Sequence, residues 1–225
     1  MELTLLSIVS WMALSSSIFL YLSGGSTCLF IIRKKTVGNI PLFPFIATCV
    51  SSTIWLKYGF IQNNGTIKIV NSVGSSLQLV YICIYYSYCR DKRKANCIIL
   101  PSAAFLYAML FYAKYLAASD NVAAMHLGLV GTFLSIVMTA SPLVTVSEII
   151  RTKCTASMAF PFVFVCFVSC ILWALFGILI HDAFIVAPNA VGVLLGIFQL
   201  SFFLVYPSRK PETITDGIAR PLAEA

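Results

Sequence analysis

The chain matches itself without a gap at an offset of 118 residues, which is the separation between Trp55 and Trp173. The same offset relates Asn71 to Asn189. It also joins Ile31 to Ile149, Arg33 to Arg151, Gly59 to Gly177 and Gly74 to Gly192. Two segments that share residues at so many matching positions are expected to form the same structural unit twice.

Composition places both segments in a membrane. Hydrophobic residues make up 60% of the chain, charged residues only 10%, and the mean hydropathy is +0.93. An ordinary soluble domain is about 25% charged, and about 20 consecutive apolar residues span a bilayer as a helix. The apolar runs lie at 5–32, 40–61, 67–89, 96–117, 123–149, 158–180 and 184–206. We therefore predict an all-α membrane protein with one transmembrane helix for each of these runs.

The duplication divides the predicted helices into three, one and three. Residues 1–94 form the first triple-helix repeat, 95–122 the linker helix, 123–208 the second repeat, and 209–225 a cytoplasmic tail. A single linker span returns the chain to the side on which it started, so both repeats enter the membrane in the same orientation. Two parallel repeats in a membrane suggest a transporter whose site lies at their interface.

Basic residues predict the orientation of the chain. Lys and Arg cluster after the first, third and fifth predicted spans and in the tail, at Arg33, Lys34, Lys35, Arg90, Lys92, Arg93, Lys94, Arg151, Lys153, Arg209, Lys210 and Arg220. Because such residues favour the cytoplasmic side, we expect an extracytoplasmic N-terminus and a cytoplasmic C-terminus. The net charge of +7 then reflects topology and attraction to the lipid bilayer, and nucleic acid is not an expected partner.

Polar and aromatic side chains recur in register inside the predicted spans. The set comprises Ser17, Ser51, Trp55, Asn71, Ser135, Ser169, Trp173 and Asn189, with Leu20 and Met138 one turn beyond Ser17 and Ser135. Any one of these polar groups could simply bond to a neighbouring helix. Together they combine flat apolar rings with neutral donors and acceptors, which suits a sugar because its ring faces stack on indole and its hydroxyls bond to amides.

The predicted spans hold no acidic residue or histidine near their centres. Proton-coupled carriers usually need such a group in the membrane, so the sequence favours uncoupled, bidirectional diffusion. Phosphate-binding loops, metalloprotease motifs and paired catalytic carboxylates are also missing from the sequence. We expect no enzyme activity, no cofactor and no metal site.

Helix-breaking residues occur at matching places in both repeats. Pro44 and Pro161 fall near the start of the second and sixth predicted spans, Pro142 interrupts the fifth, and Gly24 occupies the position that matches Pro142. A proline inside a helix removes a hydrogen bond and bends the helix. We predict that these four residues are hinges on which the repeats rock.

Several local strings resemble the SWEET family of sugar transporters, of the animal type. They are the segments 33–45, 55–59, 70–74, 140–143, 151–153 and 181–189. The resemblance covers 5–208 and implies passive transport of mono- or disaccharides by alternating access, often in a homo-oligomer. It implies that sugar lies between the Trp and Asn pairs, with Ser51 and Ser169 nearby. It also implies an extracytoplasmic gate of Tyr58 with Asp182, in which Phe176 replaces a common tyrosine.

The resemblance also bears on the substrate. In the family that the chain resembles, small residues at the positions of Leu20 and Met138 accompany disaccharides and larger ones accompany monosaccharides, so we expect a glucose-like substrate. The alternatives are a PQ-loop transporter of another small solute, a seven-helix receptor and a trafficking protein. A PQ-loop transporter has glutamine after the proline of this motif, whereas Leu143 follows Pro142 in this chain. Plasma membrane and Golgi are both compatible with the sequence.

Overall fold

The computed structural model describes residues 2–141, 143–155 and 158–206, and these residues are helical apart from short connections. The predicted tail at 209–225 and Pro142 lie outside them. The helices are α1 (Glu2–Lys34), α2 (Phe43–Ile61), α3 (Gly65–Tyr88), α4 (Lys92–Phe111), α5 (Asp120–Ala140), α6 (Leu143–Thr152), α7 (Phe160–Leu179) and α8 (Ala183–Val205). A π-helical turn, Tyr112–Leu116, continues α4.

Six of the described helices are long and apolar enough to cross a membrane, namely α1, α3, α4 with its π-helical turn, α5, α7 and α8. The remaining predicted span corresponds to α2, which is 19 residues long. It includes Ser51, Ser52 and Lys57, and these polar side chains lower its hydropathy. The least apolar of the predicted spans is therefore a helix that carries predicted site residues.

The fifth predicted span, 123–149, in which the sequence places an interruption at Pro142, forms two helices. Helix α5 ends at Ala140 and a separate helix, α6, begins at Leu143. In the first repeat the matching helix, α1, runs unbroken for 33 residues and passes through Gly24. Glycine keeps the amide donor that proline lacks, so a helix continues through it at a modest cost. The two repeats thus differ in the helix that begins each of them.

The connections between the helices repeat in both halves of the chain. The backbone φ angle is positive at Lys35 (53°) and at Lys153 (53°), and again at Asn63 (48°) and His181 (55°). Both pairs are separated by the 118-residue offset. A residue in this left-handed conformation ends a helix and redirects the chain. The same turns therefore reverse the chain at equivalent points of both repeats.

Packing joins the helices into two bundles with a linker. Helix α3 packs on α1 and α2, and α8 packs on α5 and α7, while the bundles meet where α1 packs on α7 and α2 on α5. Helix α4 packs on α2, and its π-helical turn packs on α5. The outer faces carry large exposed apolar side chains such as Trp11, Leu100 and Leu194. Those faces meet lipid, and the interface between the bundles carries the polar residues.

Candidate functional site

The two tryptophans of the duplicated set connect the repeats. The indole Nε1 of Trp55, on α2, donates to the hydroxyl of Ser135 on α5 at 3.1 Å. The indole Nε1 of Trp173, on α7, donates to the hydroxyl of Ser17 on α1 at 2.7 Å. Each tryptophan thus bonds to the opposite repeat through the equivalent serine. These bonds fix the edge of each indole ring.

The two asparagines are held in matching ways. Asn71 Nδ2 donates to the carbonyl of Ile67 at 2.9 Å, and Asn189 Nδ2 donates to the carbonyl of Ile185 at 2.8 Å. Each bond runs back four residues along the same helix. A carboxamide has two N–H donors and one oxygen acceptor, so each asparagine retains a donor and an acceptor. Both side chains are therefore oriented and still able to bind a ligand.

A cavity of about 300 Å³ lies between the repeats at these residues. The predicted site residues that line it are Ser17, Leu20, Ser51, Trp55, Asn71, Ser135, Met138, Trp173 and Asn189. Further lining residues, which the sequence did not single out, are Tyr21, Thr48, Ser52, Ile67, Val70, Thr139, Ile185 and Pro188. None of the lining residues is acidic, basic or histidine. The wall is apolar with neutral hydrogen-bonding groups.

Ser169 lies outside the lining, unlike its counterpart Ser51. It is buried, and its hydroxyl oxygen lies 3.0 Å from that of Ser16. The residue equivalent to Ser16 in the second repeat is Leu134, which cannot make such a bond. Ser169 therefore links α7 to α1 and lies outside the cavity lining in this conformation.

Tyr21 makes the cavity asymmetric. Its hydroxyl lies 3.4 Å from that of Ser52, and its ring lies so close to Gly74 that a Cβ there would be 2.7 Å away. The equivalent residue in the second repeat is the smaller Thr139. A search for residues that recur at the offset passes over this position because the two residues differ. The spacing could have indicated Tyr21 as a lining residue, because Tyr21 follows Ser17 by four residues and so lies on the same face of the helix.

An interior proline, which the sequence analysis also missed, shapes α8. Pro188 lies inside α8 and lines the cavity next to Asn189. A proline cannot bond to the carbonyl four residues earlier, which here belongs to Phe184. The hydroxyl of Thr132, on α5, donates to that carbonyl at 3.0 Å. Thr132 therefore supplies the hydrogen bond that the Phe184 carbonyl cannot receive from Pro188, and it joins α5 to α8 beside the cavity.

Replacing Thr132 with valine should destabilise the second repeat, because the Phe184 carbonyl would be left without a donor. An unsatisfied backbone group of this kind costs about 1–3 kcal/mol. Thermal unfolding of the purified protein in detergent measures the effect, with Thr132→Ser as the matched control because it keeps the hydroxyl. Equal unfolding temperatures for the valine and serine variants would contradict the role assigned to Thr132.

The predicted gate residues meet at one end of the cavity, where α2 and α7 end and α8 begins. The Tyr58 hydroxyl donates to Asp182 Oδ2 at 2.7 Å, and Gln62 Nε2 donates to the Tyr58 hydroxyl at 3.3 Å. Asp182 Oδ1 also accepts from the Phe184 amide, which caps α8. Tyr58 and Phe176 are fully buried, and their rings lie edge-on to Trp55 and Trp173. These contacts close this end in the present conformation.

Two of the predicted hinge residues, Pro44 and Pro161, lie in the first turn of α2 and α7. The amides there have no partner within the helix in any case, so proline fits without a bend. Gly24 lies within the continuous α1, where a Cβ would be 2.9 Å from the Tyr81 ring. Its lack of a side chain permits close packing of α1 on α3.

Comparison with known proteins decides the family. The family model described as "Sugar efflux transporter for intercellular exchange" matches residues 7–93 and 125–211. The chain belongs to the SWEET family of sugar transporters. A similar relative is Sugar transporter SWEET1 of Drosophila pseudoobscura pseudoobscura, at 35% identity over 90% of each chain. SWEET1 of Rattus norvegicus is 34% identical over 78% of this chain and 79% of its own.

SWEET proteins of other kinds extend the comparison. Bidirectional sugar transporter SWEET15 of Oryza sativa subsp. indica is 27% identical over 87% of this chain and 62% of its own. The structure of a eukaryotic SWEET transporter superposes with a TM-score of 0.80 and 24% identity, covering 89% of this chain and 97% of that one. The predicted fold, with two three-helix repeats joined by a linker helix, is confirmed. As a SWEET family member the chain is an integral, multi-pass membrane transporter and not an enzyme.

Proposed function

We propose that the chain is a facilitative, bidirectional uniporter that carries a glucose-like monosaccharide by alternating access. The observation that carries this proposal is the uncharged cavity between the repeats, where two oriented asparagines keep free donors and acceptors. A sugar presents hydroxyls to such groups and an apolar ring face to indole. An ion or an acidic substrate would lack a compensating charge in this wall.

The proposed binding mode assigns a task to each pair. Trp55 and Trp173 contact the faces of the sugar ring, since their Nε1 donors are already bonded to Ser135 and Ser17. Asn71 and Asn189 bond to the hydroxyls. Ser17, Ser51 and Ser135 supply further neutral groups at the wall, and Leu20 and Met138 limit its width. Ser169 acts indirectly, by joining α7 to α1.

The proposed cycle starts from the geometry of the two ends. Tyr58 and Asp182 close the end that we propose to be extracytoplasmic. The lining residues Thr48 and Ser52 precede Trp55 on α2, and Tyr21 follows Ser17 on α1, so the cavity extends away from Tyr58. The conformation is thus closed on one side and faces the other. We propose that the repeats, 1–94 and 123–208, rock against each other to reverse this.

The hinges of this motion are proposed at the helix starts and at the break between α5 and α6. Pro44 and Pro161 fix their own φ angles in the first turn of α2 and α7, so the bending falls in the connection just before each helix. Pro142 lies outside the described residues, between Ala140 and Leu143 where the two helices are separate. Gly24 does not break α1, so we propose that the second repeat supplies most of the bending.

Transport should not depend on protons. Since no lining residue titrates between about pH 5.5 and 7.5, glucose exchange should be nearly constant over this range and should not respond to an imposed proton gradient. Exchange is measured in liposomes that contain the purified chain, with a protonophore as the control for the gradient. Accumulation of glucose above its external concentration, driven by protons, would contradict uniport.

Substrate size should depend on Leu20 and Met138. Both line the cavity, and removing a methylene-sized volume from such a wall typically changes discrimination by about 1–3 kcal/mol. Wild type should prefer glucose to sucrose, and the Leu20→Val/Met138→Val variant should gain sucrose uptake. The matched control is Leu22→Val/Val137→Ala, because these neighbours are exposed on the outer faces of the same helices. A wild-type preference for sucrose would contradict the size argument.

Counterflow tests the direction of transport. Liposomes loaded with unlabelled glucose should take up labelled glucose transiently above its equilibrium level, because a bidirectional carrier exchanges the two. Absence of this overshoot, with net uptake still present, would exclude a carrier mechanism.

We further propose an extracytoplasmic N-terminus, a place in the plasma membrane or Golgi, and homo-oligomers, which impermeant labelling and crosslinking in cells would test.

A further inference from the structure

A second cavity, of about 470 Å³, lies at the opposite end of the bundle from Tyr58. The connection between α1 and α2 forms one side of it, and the end of α3 with the start of α4 forms the other. The linker helix α4, which has no counterpart in the duplication, forms part of the wall of this cavity. Its volume lies within the range of about 300–1,000 Å³ that is usual for ligand sites.

The floor of this cavity is apolar. Val37, Leu42 and Ala95 are buried there, and so is the ring of Tyr85. The Tyr85 hydroxyl is engaged, since it donates to the carbonyl of Ile40 at 2.9 Å. A sugar would find few polar partners on such a floor. A hydrocarbon chain fits it better.

The rim carries the charges. Arg90, Asp91 and Lys94 lie there together. The backbone amide of Lys94 donates to the Asp91 carboxylate, which lowers the pKa of Asp91 and keeps it ionised. Asp91 Oδ2 also lies 3.5 Å from Lys94 Nζ. Arg90 makes no ion pair among the described residues, and the rim, with two basic residues and one acidic residue, carries a net positive charge.

We propose that this cavity binds one anionic phospholipid, with its phosphate at Arg90 and the upper part of an acyl chain on the apolar floor. A guanidinium matches the geometry of a phosphate, which it can hold through two hydrogen bonds. The end of the bundle fits this ligand, because Arg33, Lys34 and Arg93 also lie there. Clusters of this kind next to a membrane span attract anionic lipid. The bound lipid would join α4 to the α1–α2 connection.

The test compares two double variants that remove equal charge from the same end. Arg90→Gln/Lys94→Gln changes the cavity rim, whereas Lys34→Gln/Arg93→Gln changes exposed residues outside the lining. Each protein is purified, mixed with phosphatidylcholine containing phosphatidylserine, and examined by native mass spectrometry for retained lipid. Unfolding temperature in pure phosphatidylcholine confirms that both variants are folded.

Wild type and the Lys34→Gln/Arg93→Gln control should each retain one phosphatidylserine. The rim variant should bind it at least about fivefold more weakly than the control, because it alone loses the contact between Arg90 and the phosphate. Equal loss in both variants would overturn the site in favour of diffuse attraction, as would equal retention in both. If inorganic phosphate at millimolar concentration displaces the lipid from wild type, the cavity is a site for soluble phosphate and the lipid proposal is wrong.

Discussion

Replacing Asn71, Asn189 or Trp173 with alanine is expected to abolish glucose uptake while the protein still reaches the membrane. Each asparagine offers one donor and one acceptor to the substrate after its bond within the helix. Losing a partner for a buried hydroxyl costs about 1–3 kcal/mol, so affinity should fall roughly 5- to 150-fold. The measurement is labelled glucose uptake in cells or liposomes, normalised to the amount of protein.

The matched controls carry the same substitutions away from the cavity. Trp11→Ala removes an exposed tryptophan from the lipid-facing side of α1, and Asn121→Ala removes an exposed asparagine from the start of α5. Both should transport normally. Wild-type uptake by all three cavity variants would show that the sugar binds elsewhere.

Removing the bond between Tyr58 and Asp182 should have the second-largest effect. Tyr58→Phe deletes the donor that lies 2.7 Å from the Asp182 carboxylate and keeps the ring. A hydrogen bond to a charged group contributes about 1.5–3 kcal/mol, which corresponds to roughly a 10–100-fold shift between the closed and open conformations at this end. We expect uptake to fall about tenfold or more, because the carrier can no longer close on this side.

A double-variant cycle makes this test specific. Tyr58→Phe/Asp182→Asn should transport no worse than the poorer single variant, because both changes remove the same bond. Gln62→Ala serves as the control, since Gln62 makes a longer, neutral bond to the Tyr58 hydroxyl and its loss should change uptake little. Additive losses in the double variant would contradict a shared latch.

The fold was predictable because a bilayer leaves little freedom. A chain with long apolar runs must satisfy its backbone within helices, and the duplication then gives the grouping of those helices. Hydropathy alone does not reveal the division of 123–149, because it averages over the break, and Pro142 was the sequence signal for it. Ala140 and Leu143 are apolar on both sides of Pro142, so the run looks continuous although the helices are separate.

The site was predictable where the two repeats kept the same residue. Trp55 with Trp173 and Asn71 with Asn189 stood out for this reason, and the structure brings all four to one cavity. Residues that differ between the repeats could not be found in this way. Tyr21 is the clearest case, because Thr139 stands at its matching position.

Recurrence at the offset does not show whether both members of a pair have the same surroundings. Ser51 and Ser169 recur, yet Ser169 is beside Ser16, and only the packing of α1 on α7 reveals this. The partnership of Thr132 with the Phe184 carbonyl is hidden for a similar reason, since it depends on contact between α5 and α8. A single sequence does not reveal which helices that are distant along the chain contact each other.

Uptake of labelled D-glucose by liposomes that contain only the purified chain tests the central claim most directly. We predict saturable uptake that exceeds that of protein-free liposomes, discriminates against L-glucose, and disappears in the Asn71→Ala/Asn189→Ala variant. Uptake no greater than in protein-free liposomes, from protein shown to be folded by its unfolding transition, would contradict the assignment of a glucose uniporter. Uptake that persists in the double asparagine variant would contradict the proposed site.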